Sequence, residues 1–214
     1  MVTIVRLSVD ELINGAIGGR KDFTYSELEE GADLSGHARY EKMQNYLRGQ
    51  SLDYHRKNPI NISSSRFRRV TASGLYFPFV DGYNVDFQGA ILKGADFRGA
   101  ILEGANLEKV NLLEANLKGA NLEKVNLLEA NLREAKVRGA DFLGAILRRA
   151  NLEGTDFQGA NLRAVDLREA RNLKDANLKT AIFYKTGVGK DERAVILKQR
   201  PDLEEDGKAF VLFD

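Results

Sequence analysis

The chain has no cysteine and no tryptophan, and only three prolines, two methionines and two histidines in 214 residues. Without cysteine there can be no disulfide, no thiol nucleophile and no sulfur-ligated metal, and the redox state of the compartment leaves no mark on the composition. The two histidines, His37 and His55, have no neighbouring ligands at metal spacing, so neither a metal nor a cofactor is expected. An excess of one charge is also missing. Lysine and arginine number 32 against 31 acids, a formal net charge of +1, so an electrostatic role has to come from local asymmetry. No stretch approaches the roughly 20 apolar residues of a membrane-spanning helix. The opening MVTIVRLSVDELINGAIGG carries Asp10 and Glu11 and lacks the apolar centre of a secretory signal, which points to a cytoplasmic protein.

What the chain does have is a period of five. One large apolar residue anchors each unit: Phe87, Leu92, Phe97, Leu102, Leu107, Leu112, Leu117, Leu122, Leu127, Leu132, Val137, Phe142, Leu147, Leu152, Phe157, Leu162 and Leu167. One residue is inserted near Arg171, and the pattern resumes at Leu173, Leu178 and Phe183. Two positions before each anchor stands a small residue, such as Ala90, Ala95 or Val110, and between the two lies mostly Asn or Asp. On a helix, at about 100° per residue, a step of five turns the anchor by roughly 140°, which scatters the leucines around the axis and excludes a long helix. In extended chain the small residue and the anchor face inward together while the Asn or Asp points out. The last two positions turn the chain, with glycine often in the second, as at Gly89, Gly94, Gly99 and Gly119. Each unit is then one short side of a coil. The spacing alone leaves three or four sides per coil open.

Units such as ANLKG, ADFRG, ANLEG and ADFLG resemble the pentapeptide-repeat family, whose pattern is A-(D/N)-L-x-x, over about residues 85–185. The resemblance implies an all-β solenoid, a right-handed quadrilateral β-helix with four units per coil. Five regular coils are expected, with about one irregular coil before them over residues 60–84, where Ala72 and Gly82 are poor anchors. Residues Gly104 to Leu117 recur unchanged as Gly119 to Leu132. Fifteen residues are three units, so the copy lands one side away when a coil has four. The duplication maintains the core template and repeats no surface.

The flanks read as caps. In the N-terminal region, 1–59, Ser8 and Glu11 form a capping box for a helix over about 9–16, and residues 22–36 contain a repeat fragment in DFTYS and ADLSG. Tyr40, Met43 and Leu47 at helical spacing predict a second helix over about 38–48, a structural insertion or a partner-binding element. In the C-terminal region, 186–214, Asp191 to Lys198 reads as a helix stopped by Pro201. The tail AFVLFD either folds back over the end of the stack or dimerises.

Catalytic signals are weak. Ser63, Ser64 and Ser65 lack the Gly-x-Ser-x-Gly setting of a strained nucleophile. TGVGKD, from Thr186, has Tyr184 where a phosphate loop needs its first glycine and Asp191 where it needs Ser or Thr. With no catalytic residues and a filled column interior, an enzyme is not expected.

If residues twenty apart stack, the outward position after each anchor forms four stripes. One runs Arg98, Lys118, Arg138, Gln158 and Lys179, whereas the other three mix acids, bases and leucines such as Leu113, Leu128 and Leu143. Stacked like charges repel without structural return, so the stripe is a candidate surface for an anionic partner, with Asp96 and Asp156 as compensating acids in the alternative of a merely solvated face. The reading is a non-catalytic interaction, scaffold or regulatory protein whose partner is a protein, with nucleic acid or an anionic surface as alternatives. Members of the resembled family are frequent in cyanobacteria and other bacteria, and some protect DNA gyrase by presenting an acidic, DNA-like rod. Residues 85–185 carry 16 basic and 14 acidic residues, a net +2 that argues against such mimicry.

Overall fold

The computed structural model describes residues 3–204 and 207–213; Met1, Val2, Glu205, Asp206 and Asp214 lie outside the described residues. The repeat is best understood from where one unit sends its five backbone N–H groups. In the unit 95–99, Ala95 donates to the Leu92 carbonyl at 3.0 Å and closes the preceding turn. Asp96 donates back to Leu75 at 2.7 Å, while Phe97 and Gly99 donate forward to Asn116 at 2.8 Å and Lys118 at 3.0 Å. The fifth group, Arg98 N–H, is taken by the Asp96 side chain, Oδ1, at 3.1 Å. Asn and Asp recur before the anchor because a short side-chain acceptor there reaches the N–H two residues on, as at Asn111 to Leu113, Asn121 to Glu123 and Asn126 to Leu128. The turn that follows holds its third residue at positive φ, 63° at Gly99 and 60° at Glu114.

Parallel bridges give the size of the coil. One column runs Ile91, Asn111, Asn131, Asn151, Arg171, another Asp96, Asn116, Lys136, Asp156. The step is twenty residues, four units, and each side is a single bridge between two turns rather than a long strand. Beyond Arg171 the step becomes 21, from Asp156 to Asn177 and Asn161 to Ile182. The added residue is absorbed at Asn172, which takes a left-handed φ of 57° before a single 3-10 turn over Leu173–Asp175. The twenty anchors from Phe87 to Phe183 are buried, none more than 5% exposed, and with the small residues they fill a continuous apolar column. The result is a repeat solenoid.

The first coils differ from the sequence expectation. Residues 60–84 are not irregular: they bridge in register to the coil below, Asn61 to Asp81 and Tyr76 to Asp96. The two weak anchors are accommodated differently. Gly82 has no room for a side chain, since a Cβ there would lie 2.9 Å from Leu102 Cδ2 and 3.2 Å from Val85 Cγ1; the neighbours already occupy the space. Ala72 instead borders an apolar cavity of about 20 Å³ shared with Leu12, Leu34, Phe67 and Phe87. The fragment at 22–36 is itself the first coil. Asp22, Glu27 and Asp33 bridge to Asn61, Arg66 and Thr71, with Phe23, Leu28 and Leu34 buried beneath. Strand β1 (Val5–Arg6) adds in parallel to β2 (Ser26–Glu27), and helix α1 (Val9–Ile17), capped reciprocally by Ser8 and Glu11, lays Leu12, Ile13 and Ala16 over the open end.

The chain leaves this coil after three sides, and helices α2 (Tyr40–Arg48) and α3 (Leu52–Lys57) stand where the fourth should be. Gln44 Oε1 accepts the Tyr76 N–H at 2.6 Å, and the Tyr40 hydroxyl donates to the Ser73 carbonyl at 3.0 Å, so α2 supplies by side chain the bonds a missing rung would have made. Helix α3, not foreseen from the sequence, is capped by Ser51 and carries the buried His55, whose Nε2 sits 2.8 Å from the Leu47 carbonyl with Tyr54 and Tyr76 edge-on around the ring. At the other end, β3 (Thr186–Val188) pairs in parallel with β4 (Phe210–Leu212) across α4 (Lys190–Gln199), so the described part of the tail bonds back onto the last coil, and Phe210 packs 5.8 Å from Phe183.

Two predictions follow from this packing. Leu122→Ala, in the filled column, is expected to cost about 2–5 kcal/mol, and Gly82→Val, although it adds apolar surface, is expected to lower stability as well; denaturant unfolding measures both. Burial holds the His55 pKa below its ordinary 6.5, with Lys21 pushing the same way against the Leu47 hydrogen bond and Asp96. The unfolded chain therefore takes up this proton first as pH falls, so the contribution is intact above pH 6.5 and is lost below it. His55→Gln should flatten stability against pH below 6.5, as followed by thermal unfolding.

Candidate interaction surface

The residue after each anchor starts a turn and points out of the column. The carbonyls of Arg98, Lys118, Arg138, Gln158 and Lys179 accept the N–H groups of Phe79, Gly99, Gly119, Gly139 and Gly159, so the fold brings these five residues into one column along one side. Successive members are one rung apart, about 4.8 Å along the axis. The same side carries Asp96, Asn116, Lys136, Asp156 and Asn177 at the bridging positions. Lys136 was not singled out from the sequence, where only the position after each anchor was compared. The signal was present: in KVRG, lysine stands where this column otherwise has Asp or Asn.

Electrostatically the column divides in two. Arg98 grips Asp96, with Nε at 2.9 and 3.0 Å from the two carboxylate oxygens and Nη2 at 2.6 Å, and these hydrogen bonds push its pKa further up. Arg138 reaches Asp156 at 3.7 Å. The expected compensating acids are thus used, each by an arginine. Lys118, Lys136 and Lys179 make no ion pair among the described residues. Other sides are laced together: Lys93 with Glu114 at 3.7 Å, Lys124 with Glu103 at 3.6 Å, Lys109 with Glu108 at 3.2 Å, and Arg133 with Glu134 and Glu153 at 3.2 and 3.6 Å. On another side Arg149 lies between Glu129 at 3.8 Å and Glu169 at 2.6 Å.

The turns beside the basic column carry no side chains at Gly99, Gly119, Gly139 and Gly159. The backbone there has positive φ, yet Lys109, Glu114, Lys124 and Glu129 adopt the same φ at the equivalent place on other sides. A Cβ on Gly119 or Gly139 would meet nothing within 4 Å. At the head of the column the Phe79 ring lies against Gly99, with the Arg56 guanidinium of α3 5.1 Å from the ring centroid. Helices α2 and α3 therefore stand directly above the basic column.

The rejected catalytic candidates have structural duties. Ser65 Oγ donates to the Phe23 carbonyl at 2.7 Å and accepts the Ser26 N–H at 2.9 Å. Ser63 bonds Asp81 at 2.8 Å, and Ser64 takes a turn position with φ 55°. Thr186 to Val188 form β3, with the Thr186 hydroxyl on the Leu162 carbonyl at 2.6 Å. His37 lies 3.2 Å from Asp10, and His55 is held in the insertion. Among the described residues no three His, Asp or Glu side chains are grouped to hold a metal ion.

Comparison with known proteins fits this architecture. No curated protein sequence matches the chain. Among solved structures, full-length QnrB1, a plasmid-mediated fluoroquinolone resistance protein, superposes with a TM-score of 0.57 at 20% identity, covering 84% of this chain and 82% of its own; this is a likeness of fold. A pentapeptide repeat protein from Nostoc Pcc 7120 is 35% identical over 45% of this chain and 71% of its own, TM-score 0.27. One from the Arabidopsis thaliana thylakoid lumen is 31% identical over 46% and 65%, TM-score 0.28. The description "Pentapeptide repeats" matches in eight copies across residues 83–112, 111–149 and 145–183. Residues 83–183 are therefore a run of pentapeptide repeats, the unit that defines the pentapeptide-repeat family.

Proposed function

We propose that this protein is a non-catalytic interaction protein, a right-handed quadrilateral β-helix that binds an anionic protein partner through the side bearing Arg98, Lys118, Lys136, Arg138 and Lys179. The observation that carries the reading is clustering. Among the described residues Lys118, Lys136 and Lys179 have no carboxylate within ion-pair reach and share one side, whereas Lys93, Lys109 and Lys124 on other sides are paired and the unpaired Arg163 and Lys174 lie on two different sides. Charges left unpaired on stacked rungs repel, and a partner that supplies the missing acids relieves that repulsion. Protection of DNA gyrase by a DNA-like rod needs an acidic side, and the column with the largest excess of one charge here, Arg98, Lys118, Arg138 and Lys179, is basic. Among the described residues, no helix is long and apolar enough to cross a membrane.

The test uses labelled polyglutamate, a flexible anionic chain, followed by fluorescence anisotropy at low salt. Wild type and a control carrying Lys93→Glu, Lys109→Glu and Lys124→Glu are expected to bind, and binding should weaken as salt rises. The variant Lys118→Glu, Lys136→Glu and Lys179→Glu should lose at least about tenfold in affinity. Because the two triple variants change net charge equally, equal loss in both would assign binding to overall charge and end this reading.

A further inference from the structure

The basic column has a repeat, and a repeat selects the shape of what binds it. Cations on adjacent rungs are about 4.8 Å apart along the axis. From Lys118 to Lys179 the column climbs three rungs, about 14 Å. In an extended peptide, side chains on one face recur about every 6.6 Å, and one strand of a DNA duplex advances about 3.4 Å per phosphate. At the first rung the extended peptide is out of step by about 1.8 Å and the nucleotide strand by about 1.4 Å. An α-helix advances 1.5 Å per residue and about 5.4 Å per turn. Residues i and i+3 then lie about 4.5 Å apart, and i and i+10 about 15 Å, which matches the intervals from Lys118 to Arg138 and from Lys118 to Lys179. All three helical positions fall on one face.

The surroundings of the column suit the same object. A helix is about 10 Å wide, and one lying beside the cations needs a strip free of projecting side chains. Gly119, Gly139 and Gly159 leave that strip next to the column, on backbone that accepts Lys or Glu on the other sides, while Gly99 is covered by the Phe79 ring. The strip is bounded at its head by Phe79 and by Arg56 of α3. Arg98 and Arg138 are already pinned to Asp96 and Asp156, so they line the track as fixed donors, and Lys118, Lys136 and Lys179 meet the incoming acids.

We infer that the occupant of this side is an acidic α-helix of a partner protein, lying along the solenoid axis with carboxylates at i, i+3 or i+4, i+7 and i+10 or i+11. The inference rests on the function proposed above and adds the geometry of the partner.

The experiment compares three probes by anisotropy against the full chain. The first is an alanine-based helical peptide with glutamates on one face at that spacing. The second is an isomer of the same composition and confirmed helicity with the glutamates distributed around the axis. The third is a twelve-nucleotide oligothymidylate. The one-faced helix is expected to bind about tenfold tighter than its isomer, and Lys118→Glu with Lys136→Glu should abolish the difference while circular dichroism of the protein is unchanged. Equal binding of the two peptides overturns the inference, and so does tighter binding of the oligonucleotide. If polyglutamate binds through the column and the peptides are not distinguished, the helix inference alone fails. If no anionic probe senses the column, the underlying functional reading fails with it.

Discussion

Each unit of five residues presents five backbone N–H groups in a side too short to be an ordinary strand, and the fold depends on four of them finding main-chain acceptors and, in most units, on a side chain for the fifth. One closes a turn, one reaches the coil before, two reach the coil after, and the fifth is taken by the Asn or Asp side chain two residues earlier, as at Asp96 and Asn121. The inward positions are then free to be purely apolar, and the outward ones are released from any backbone duty except that of the Asn or Asp. Backbone groups without partners are costly where water is excluded; the turn N–H lies at the surface, and Ile91, Ile101, Lys136 and Ile146 stand in place of its usual Asn or Asp acceptor, whereas every anchor from Phe87 to Phe183 is Leu, Phe or Val. Where the small inward residue is replaced by a hydroxyl, Ser65, Thr155 and Thr186 each return it to a nearby backbone carbonyl, and Ser26 Oγ in the first coil is the exception among the described residues.

The constraint also leaves the turn residues free to vary in chemistry. Residues after the anchor are fixed in place by main-chain bonds but not in chemistry, so a column can be made neutral by alternating acids and bases or left with one sign. Three sides show the first solution, with ion pairs crossing between rungs, such as Arg149 with Glu129 and Glu169. Exposed pairs of this kind contribute little stability each, so giving them up on one side sacrifices little of the fold. Among the described residues the side with Lys118, Lys136 and Lys179 keeps only the pairs Arg98 with Asp96 and Arg138 with Asp156, and the helical insertion stands at its head rather than on any other side.

Much of the fold was legible because a five-residue period is incompatible with a helix and recurs twenty times. The solenoid, the buried anchors, the capping box at Ser8 and the column from Arg98 to Lys179 can all be read by counting. Other features needed three dimensions. Gly82 reads as a fault in the repeat, but Leu102 and Val85 occupy the place of its missing side chain. Helix α3 is only six residues long and carries no apolar periodicity, so nothing in LDYHRK announced it. The fragment at 22–36 has its third anchor, Leu34, one residue late, which hid its membership of the first coil. Lys136 escaped because stripes were drawn through one position per unit, whereas each side exposes the bridging position as well.

The central claim is that twenty residues make one coil, so that Lys118 and Arg138 are neighbours and Lys118 and Arg133 are not. Because the chain has no cysteine, paired cysteines report this directly. Adjacent rungs place Cα atoms about 4.8 Å apart, inside the range that a disulfide spans. Lys118→Cys with Arg138→Cys should close rapidly under mild oxidation, and Lys118→Cys with Arg133→Cys should stay reduced under the same conditions. Closure of the second pair in place of the first would mean fifteen residues per coil, and the basic column would not exist.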